Sequence, residues 1–380
     1  MIPNANRLND VKEYYFSIKL REVRALIAQG KPIINLGIGS PDLNPPEEVI
    51  HALNSANTHG YQNYQGIPEL RHAMAEFYQN HYHVSLQEEN EILPLMGSKE
   101  GIFHISMAFL NPEDDVLIPN PGYPTYASVT KLVQARPIYY NLTEANNWFP
   151  DLKALEKKDL KKVKLMWINY PHMPTGTAPT DALFDKLISF AKKHEILIVN
   201  DNPYSFILNK NPKSILAYKE AQKVAIELNS LSKTFNMAGW RVGMVVGNSK
   251  YIDSILKVKS NMDSGMYYGI QQGAITALNL SGNWFSETNE IYRKRRKVVW
   301  KICDKLKCTY SEQSTGMFVW AKIPKGKSSN EITDELLYKY DVFITPGTVF
   351  GSMGEGYIRF SLCVKEEQIQ KVLTRISKVN

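Results

Sequence analysis

The middle of the chain carries short apolar runs with little internal alternation: Val116 to Ile118, Val163 to Ile168, Leu197 to Val199 and Val224 to Leu228. A strand with one wet face alternates apolar and polar residues, whereas a strand covered on both faces reads as a continuous apolar run. Helical patterns near 122–134, 150–158 and 181–194 separate the first of these runs. Buried strands alternating with helices predict an α/β domain built on a mainly parallel sheet between helices. In open sheets of this kind ligands collect at the C-terminal ends of the strands. Those ends carry Tyr123, Asn169 to Gly176, Asp201 to Tyr204, and Ser230 to Lys233.

Toward the N-terminus, Val11, Tyr15, Ile18, Val23, Leu26 and Ile27 predict one amphipathic helix over 9–29, ending at Gly30. A short strand, Ile33 to Leu36, then runs into Gly37-Ile38-Gly39-Ser40-Pro41-Asp42. Pro41, Pro45 and Pro46 rule out the helix that a dinucleotide fingerprint needs, so these glycines are expected to admit a ligand or a close backbone. Between helical patterns at 68–83 and 100–110, a strand from Ile92 to Met96 leads into Gly97-Ser98-Lys99-Glu100-Gly101. That junction is either an anion site at a helix N-terminus or an ordinary helix start capped by Ser98. After about 285 the pattern changes to a basic helix (Tyr292 to Leu306), an alternating strand (Gly316 to Trp320), a helix at 331–340, a strand pair within 341–362 and a helix at 365–378. These predict a smaller α+β unit, joined to the first by a long helix over 250–280.

Several function classes fall away on composition. The net charge of +7 over 380 residues lies mostly in lysine clusters and comes without any nucleic-acid-binding signature. The three cysteines, Cys303, Cys308 and Cys363, form no Cys-x-x-Cys and fit packing roles in a reducing compartment. Met1 to Asp10 has no apolar core and no apolar run spans a bilayer, so neither leader nor membrane is expected and the cytoplasm is the default. Nothing calls for a metal.

Between two buried strands lies Asn229-Ser230-Leu231-Ser232-Lys233-Thr234-Phe235, with Gly239-Trp240-Arg241-Val242-Gly243 behind it. A lone lysine in a turn is ordinarily solvated. Its amine gains a task if it forms a Schiff base with a carbonyl, while the hydroxyls and the arginine hold a nearby anion. Ser230-x-Ser232-Lys233 with Arg241 resembles the lysine motif of the class I/II aminotransferases, pyridoxal 5′-phosphate enzymes of fold type I, the aspartate aminotransferase-like scaffold. The similarity covers nearly the whole chain. Gly97 to Gly101 and Pro121-Gly122-Tyr123-Pro124 are similar to the branches that include LL-diaminopimelate and alanine aminotransferases, and Asn261 to Gly265 is similar to the first of these.

The resemblance implies a seven-stranded-type, mainly parallel sheet in a large cofactor-binding domain (41–284), a small C-terminal domain (285–380), and an N-terminal arm and part of the small domain in 1–40. It implies Lys233 as Schiff-base anchor and general base, Asp201 facing the ring nitrogen, Tyr204 bonding the phenolic oxygen and Tyr123 stacked on the ring. Ser98, Lys99, Ser230 and Arg241 would take the phosphate, Gly39 would let the substrate approach, and Arg359 would grip its α-carboxylate. Tyr61, or Tyr64 in its stead, would reach the phosphate of a neighbouring subunit, making a homodimer with shared sites.

One position departs from the family. Met173 replaces the asparagine that bonds the phenolic oxygen, leaving Tyr204 alone, or Asn169 or His172 as a substitute. The loss implies a raised pKa for the Lys233 Schiff base. Transfer of an amino group from an L-amino acid to a 2-oxo acid, with 2-oxoglutarate foremost, is the expected reaction. Carbon–sulfur β-elimination on the same scaffold and a non-catalytic cofactor-binding regulator are the alternatives. The aromatic residues Tyr14, Tyr15, Tyr267 and Tyr268 are compatible with neutral or aromatic substrates, or with core and interface packing.

Overall fold

The computed structural model describes residues 2–280 and 282–377, so positions 1 and 380 of the expected domain limits and the last residue of the helix expected over 365–378 lie outside the described residues. A parallel pair, β1 (Ile34–Asn35) with a strand of the C-terminal region, ties the N-terminal segment to that region. The central sheet has seven strands: β2 (Ile92–Leu95), β3 (Asp115–Asn120), β4 (Arg136–Asn141), β5 (Val163–Ile168), β6 (Leu197–Asp201), β7 (Ala225–Ser230) and β8 (Gly243–Gly247). Their spatial order is β2-β8-β7-β6-β5-β3-β4, and every ladder is parallel except the two made by β8.

The apolar runs divide between the two faces of this sheet. Leu117, Met166 and Ile198 enter one core layer, while Val116, Leu165, Trp167 and Val199 enter the other. Period-two side chains buried on both sides are what a sheet covered by helices on each face requires. The fold is thus the expected α/β class. Strand β4 carried no apolar run because it lies at the edge, with Arg136, Tyr139 and Asn141 exposed.

Toward the C-terminus, β9 (Thr309–Tyr310), β10 (Phe318–Lys322), β12 (Thr345–Pro346) and β13 (Tyr357–Ser361) form an antiparallel sheet, and β11 (Val342–Phe343) is the partner of β1. Helix Trp284–Lys305, longer than the basic stretch predicted, packs Val298 and Ile302 with Phe360 and Ile369 in one core. Cys303, Cys308 and Cys363 are free and buried.

One expectation fails. The single helix over 250–280 is two helices, Ser249–Lys259 and Tyr268–Leu278. Gly265 adopts φ +89°, and the Lys259 ammonium donates 2.7 Å bonds to both Asp263 carboxylate oxygens, closing the turn between them. The second helix packs on helices Glu47–Asn54 and Pro68–Tyr82. Likewise the N-terminal helix is shorter than expected, Tyr15–Ala28. No helix among the described residues is long and apolar enough to cross a membrane.

Candidate active site

Three neighbouring parallel strands end side by side, β5 leading into Asn169, β6 ending at Asp201 and β7 at Ser230. Their ends open on a cavity of about 490 Å³ that also receives Gly39, Ser98, Lys99, Tyr123, Tyr204, Lys233, Arg241 and Arg359. That size suits a small-molecule site.

Lys233 stands on the short helix Leu231–Thr234 that continues β7. Ser230 caps this helix, its Oγ accepting from the Ser232 N–H at 3.2 Å and donating to the Val242 carbonyl at 3.3 Å. The Lys233 ammonium donates to the Gly39 carbonyl at 2.5 Å. Burial holds its pKa below the usual lysine range; nearby Cys363 opposes this, and the positive Arg359 and Arg241 reinforce it. A larger fraction of neutral amine follows, as a proton acceptor needs.

Asp201 is buried, and its Oδ2 accepts from the Tyr126 hydroxyl at 2.7 Å. Tyr126 itself stacks on Trp167, ring centroids 4.9 Å apart. The second carboxylate oxygen, Oδ1, is buried without a partner, and burial raises the Asp201 pKa from 3.8 to about 6, the Tyr126 bond opposing and Glu227 adding to the rise. An orphaned carboxylate oxygen facing a cavity is a costly arrangement unless a donor arrives there. Asn169 donates to the Asp201 backbone carbonyl and accepts from the Met173 N–H at 2.8 Å.

The opposite end suits an anion. Gly97, not Ser98, is the N-cap of helix Ser98–Phe109, at φ +89°, and a Cβ on it would strike the Arg241 guanidinium. A Cβ on Gly243 would come within 2.8 Å of the Ser98 nitrogen. Two glycines thus bring a helix N-terminus against β8 and Arg241, leaving N–H groups and a guanidinium together. Lys99 turns aside, its ammonium 4.7 Å from the Tyr14 ring centre.

Arg359 is buried in β13 on the far wall. Its guanidinium carbon lies 3.9 Å from the Phe318 ring centre and 4.7 Å from that of Phe350. One terminal nitrogen donates to the Gly37 carbonyl at 2.8 Å, the other meets the Met173 sulfur at 3.3 Å, and Nε has no partner. Burial lowers its pKa to about 10, which leaves it charged at neutral pH. The loop bearing Gly37 and Gly39 is pinned by Asp42, which takes a two-bond fork from Arg295 at 2.6 and 2.8 Å.

The residues that the resemblance assigns to cofactor and substrate all line the cavity except Tyr61, which is 93 % exposed. Tyr64 is also exposed, on a separate groove with Asn63 and Lys257. Among the four flagged tyrosines only Tyr14 lines the cavity. Tyr126, Phe16, Leu20 and Ile38 also line it without having been anticipated. His172 bonds Thr175 through Nδ1 at 2.8 Å and is pushed down to about 3 by burial, but it does not line the cavity, whereas Asn169 does, with its oxygen and one N–H engaged by Met173 and Asp201. The Asn169 amide keeps a second N–H beyond these bonds, so of the two it is the one placed on the cavity wall.

The family model described as "Aminotransferase class I and II" matches residues 31–376. An LL-diaminopimelate aminotransferase of Halothermothrix orenii is 38% identical over 379 residues, 98% of this chain and 97% of the relative. The LL-diaminopimelate aminotransferase of Aquifex aeolicus is 38% identical with 100% of both chains covered. A solved structure of BacF from Bacillus superposes with a TM-score of 0.96 at 35% identity, covering 100% of this chain and 99% of the other.

Proposed function

Since the chain belongs to the class I and II aminotransferase family, we propose that it uses pyridoxal 5′-phosphate to move the amino group of an L-amino acid to a 2-oxo acid, 2-oxoglutarate foremost. The observation that carries this is the pairing, in one cavity, of a half-buried lysine with depressed basicity and a buried carboxylate with an orphaned oxygen. The donor set fits the cofactor: Asp201 Oδ1 for a protonated ring nitrogen, the amine of Lys233 for an aldehyde, and Ser98, Ser230 and Arg241 for a phosphate. Tyr123 and Tyr204 would flank the ring.

Bound there, pyridoxal phosphate would supply an aldehyde and an electron-withdrawing ring. The chain's own residues would do the rest. Asp201 would hold a proton on the ring nitrogen, and Arg359 would fork onto the α-carboxylate, orienting the Cα–H bond toward the Lys233 amine. Lys233, its basicity lowered by burial, would take that proton from Cα and return it at the cofactor's C4′ carbon. The aromatic rings around Arg359 would exclude water from the ion pair. Exposed Tyr61 is proposed to enter the site of a second copy, giving a homodimer with shared sites. Kinship makes LL-diaminopimelate one candidate donor.

Borohydride reduction of the cofactor-loaded protein, followed by peptide mass mapping, tests the assignment. A pyridoxyl adduct is expected on Lys233 and lost in Lys233→Ala. An adduct on another lysine, or none, would refute it.

A further inference from the structure

Resting on the function just proposed, we infer that the amino donor carries a large apolar side chain, preferably aromatic, received by Phe16, Leu20 and Ile38. Phe16, Leu20 and Val23 recur at helical spacing along the inner face of helix Tyr15–Ala28. Val23 is buried with Leu337 and Phe343, and Leu20 and Ile38 pack at the edge of that cluster. Phe16, Leu20 and Ile38 stop half-buried, and all three face the cavity. An apolar stripe therefore runs out of a core into the site, and a ligand that covers its exposed part removes that apolar surface from water. Tyr14 and Phe16 add two rings, centroids 5.5 Å apart and inclined at 55°, beside which a third ring can sit edge to face.

Charge points the same way. A donor such as LL-diaminopimelate brings a distal ammonium and a distal carboxylate that must find partners once out of water. Among the described residues lining the cavity Asp201 is the one acid, and it sits at the strand ends with Tyr126 on one oxygen. The carboxylates Glu13 and Glu22 on either side of Phe16 and Leu20 pair with Arg21 and Lys19 and do not line the cavity. Beyond Lys233, Arg241 and Arg359, the remaining cation is Lys99, which lies over the Tyr14 ring beside Ser98. The wall thus lacks the charge pair that the donor named for the curated relatives would need, and offers hydrocarbon instead.

The test uses the cofactor-loaded enzyme with the donor alone, following the absorbance change of the first half-reaction, so that the acceptor does not enter. Phenylalanine is expected to react with a second-order rate constant at least tenfold above those of LL-diaminopimelate and glutamate. Calorimetry should show 3-phenylpropionate binding at least tenfold more tightly than heptanedioate. Leu20→Ala should slow phenylalanine about tenfold and alanine less, since the lost contact is to the side chain. Faster reaction of diaminopimelate or glutamate than of phenylalanine, or an equal loss for phenylalanine and alanine in the variant, would overturn the inference and leave amino transfer intact. Tight 3-phenylpropionate binding with no donor reacting would instead overturn amino transfer itself.

Discussion

In the cofactor-free protein, the Asp201 carboxyl should make stability depend on pH in the direction opposite to a salt-bridged acid. Its folded pKa is raised from 3.8 to about 6, chiefly because burial disfavours the charged form. Between these values the folded chain keeps a proton that the unfolded chain releases. Stability therefore falls as pH rises through the window, and the loss is complete above about pH 6. At about 1.36 kcal/mol per pH unit of displacement, the cost at neutral pH is about 3 kcal/mol. Asp201→Asn keeps the shape and an acceptor for the Tyr126 hydroxyl but cannot ionise. The variant-minus-wild-type difference in urea unfolding free energy should then grow by about 2 kcal/mol in the variant's favour from pH 4, where a little of the loss has already occurred, to pH 7. A difference that stays flat across that range would show that the buried oxygen carries no such penalty, and would remove the electrostatic reason for placing a cationic ring nitrogen beside it.

Arg359→Ala should raise KM for the amino donor at least tenfold, since truncating one side of a buried charged pair costs about 2–5 kcal/mol; loss of cofactor binding instead would mean that Arg359 serves the other end of the site. Asp42→Ala leaves the buried Arg295 guanidinium unpaired and should destabilise the fold by about 3 kcal/mol in denaturant unfolding, with a loss below about 1 kcal/mol refuting the role of this pair. Met173→Asn restores a side-chain donor, so the pKa of the visible absorbance of the cofactor-loaded enzyme should fall in a spectral titration; unchanged values would place the side chain out of reach of the cofactor.

How far the sequence carried the fold depended on how local each signal was. Val163 to Ile168 and Leu197 to Val199 announce doubly covered strands because both faces of each residue run meet helices in the same layer arrangement. Arg136 to Asn141 does not, because an edge strand with exposed side chains has no such constraint. The antiparallel sense of β8 is likewise set by a partner far along the chain, Leu95 beside Gly243, whereas the break at 260–267 is closed locally by Lys259, Asp263 and Gly265. The site divides in the same manner. Asp201, Ser230 and Lys233 were legible because parallel strands deliver their C-terminal ends to one place. Tyr126 was not, since inside helix Pro124–Leu132 it reads as one more core aromatic until Asp201 is seen 75 positions away in sequence.

Met173 shows what a departure from the family pattern means once its neighbours are visible. The sequence left three ways to make good the missing asparagine bond, and position separates them: Tyr204 and Asn169 line the cavity and His172 does not. Asn169 gives its oxygen and one N–H to the backbone of Met173 and Asp201 and keeps a second N–H, and His172 is neutral, buried and bonded to Thr175. The Met173 sulfur is itself turned onto Arg359, where a soft, weakly accepting group helps to fill the wall around a guanidinium already lined by Phe318 and Phe350. Under the proposed function, the substitution would thus remove a polar contact beside the ring and add a soft one beside Arg359. A site changed in that sense would gain grip by dispersion and dryness where a relative would use a hydrogen bond, in line with the hydrocarbon of Phe16, Leu20 and Ile38 on the wall proposed to receive the substrate side chain.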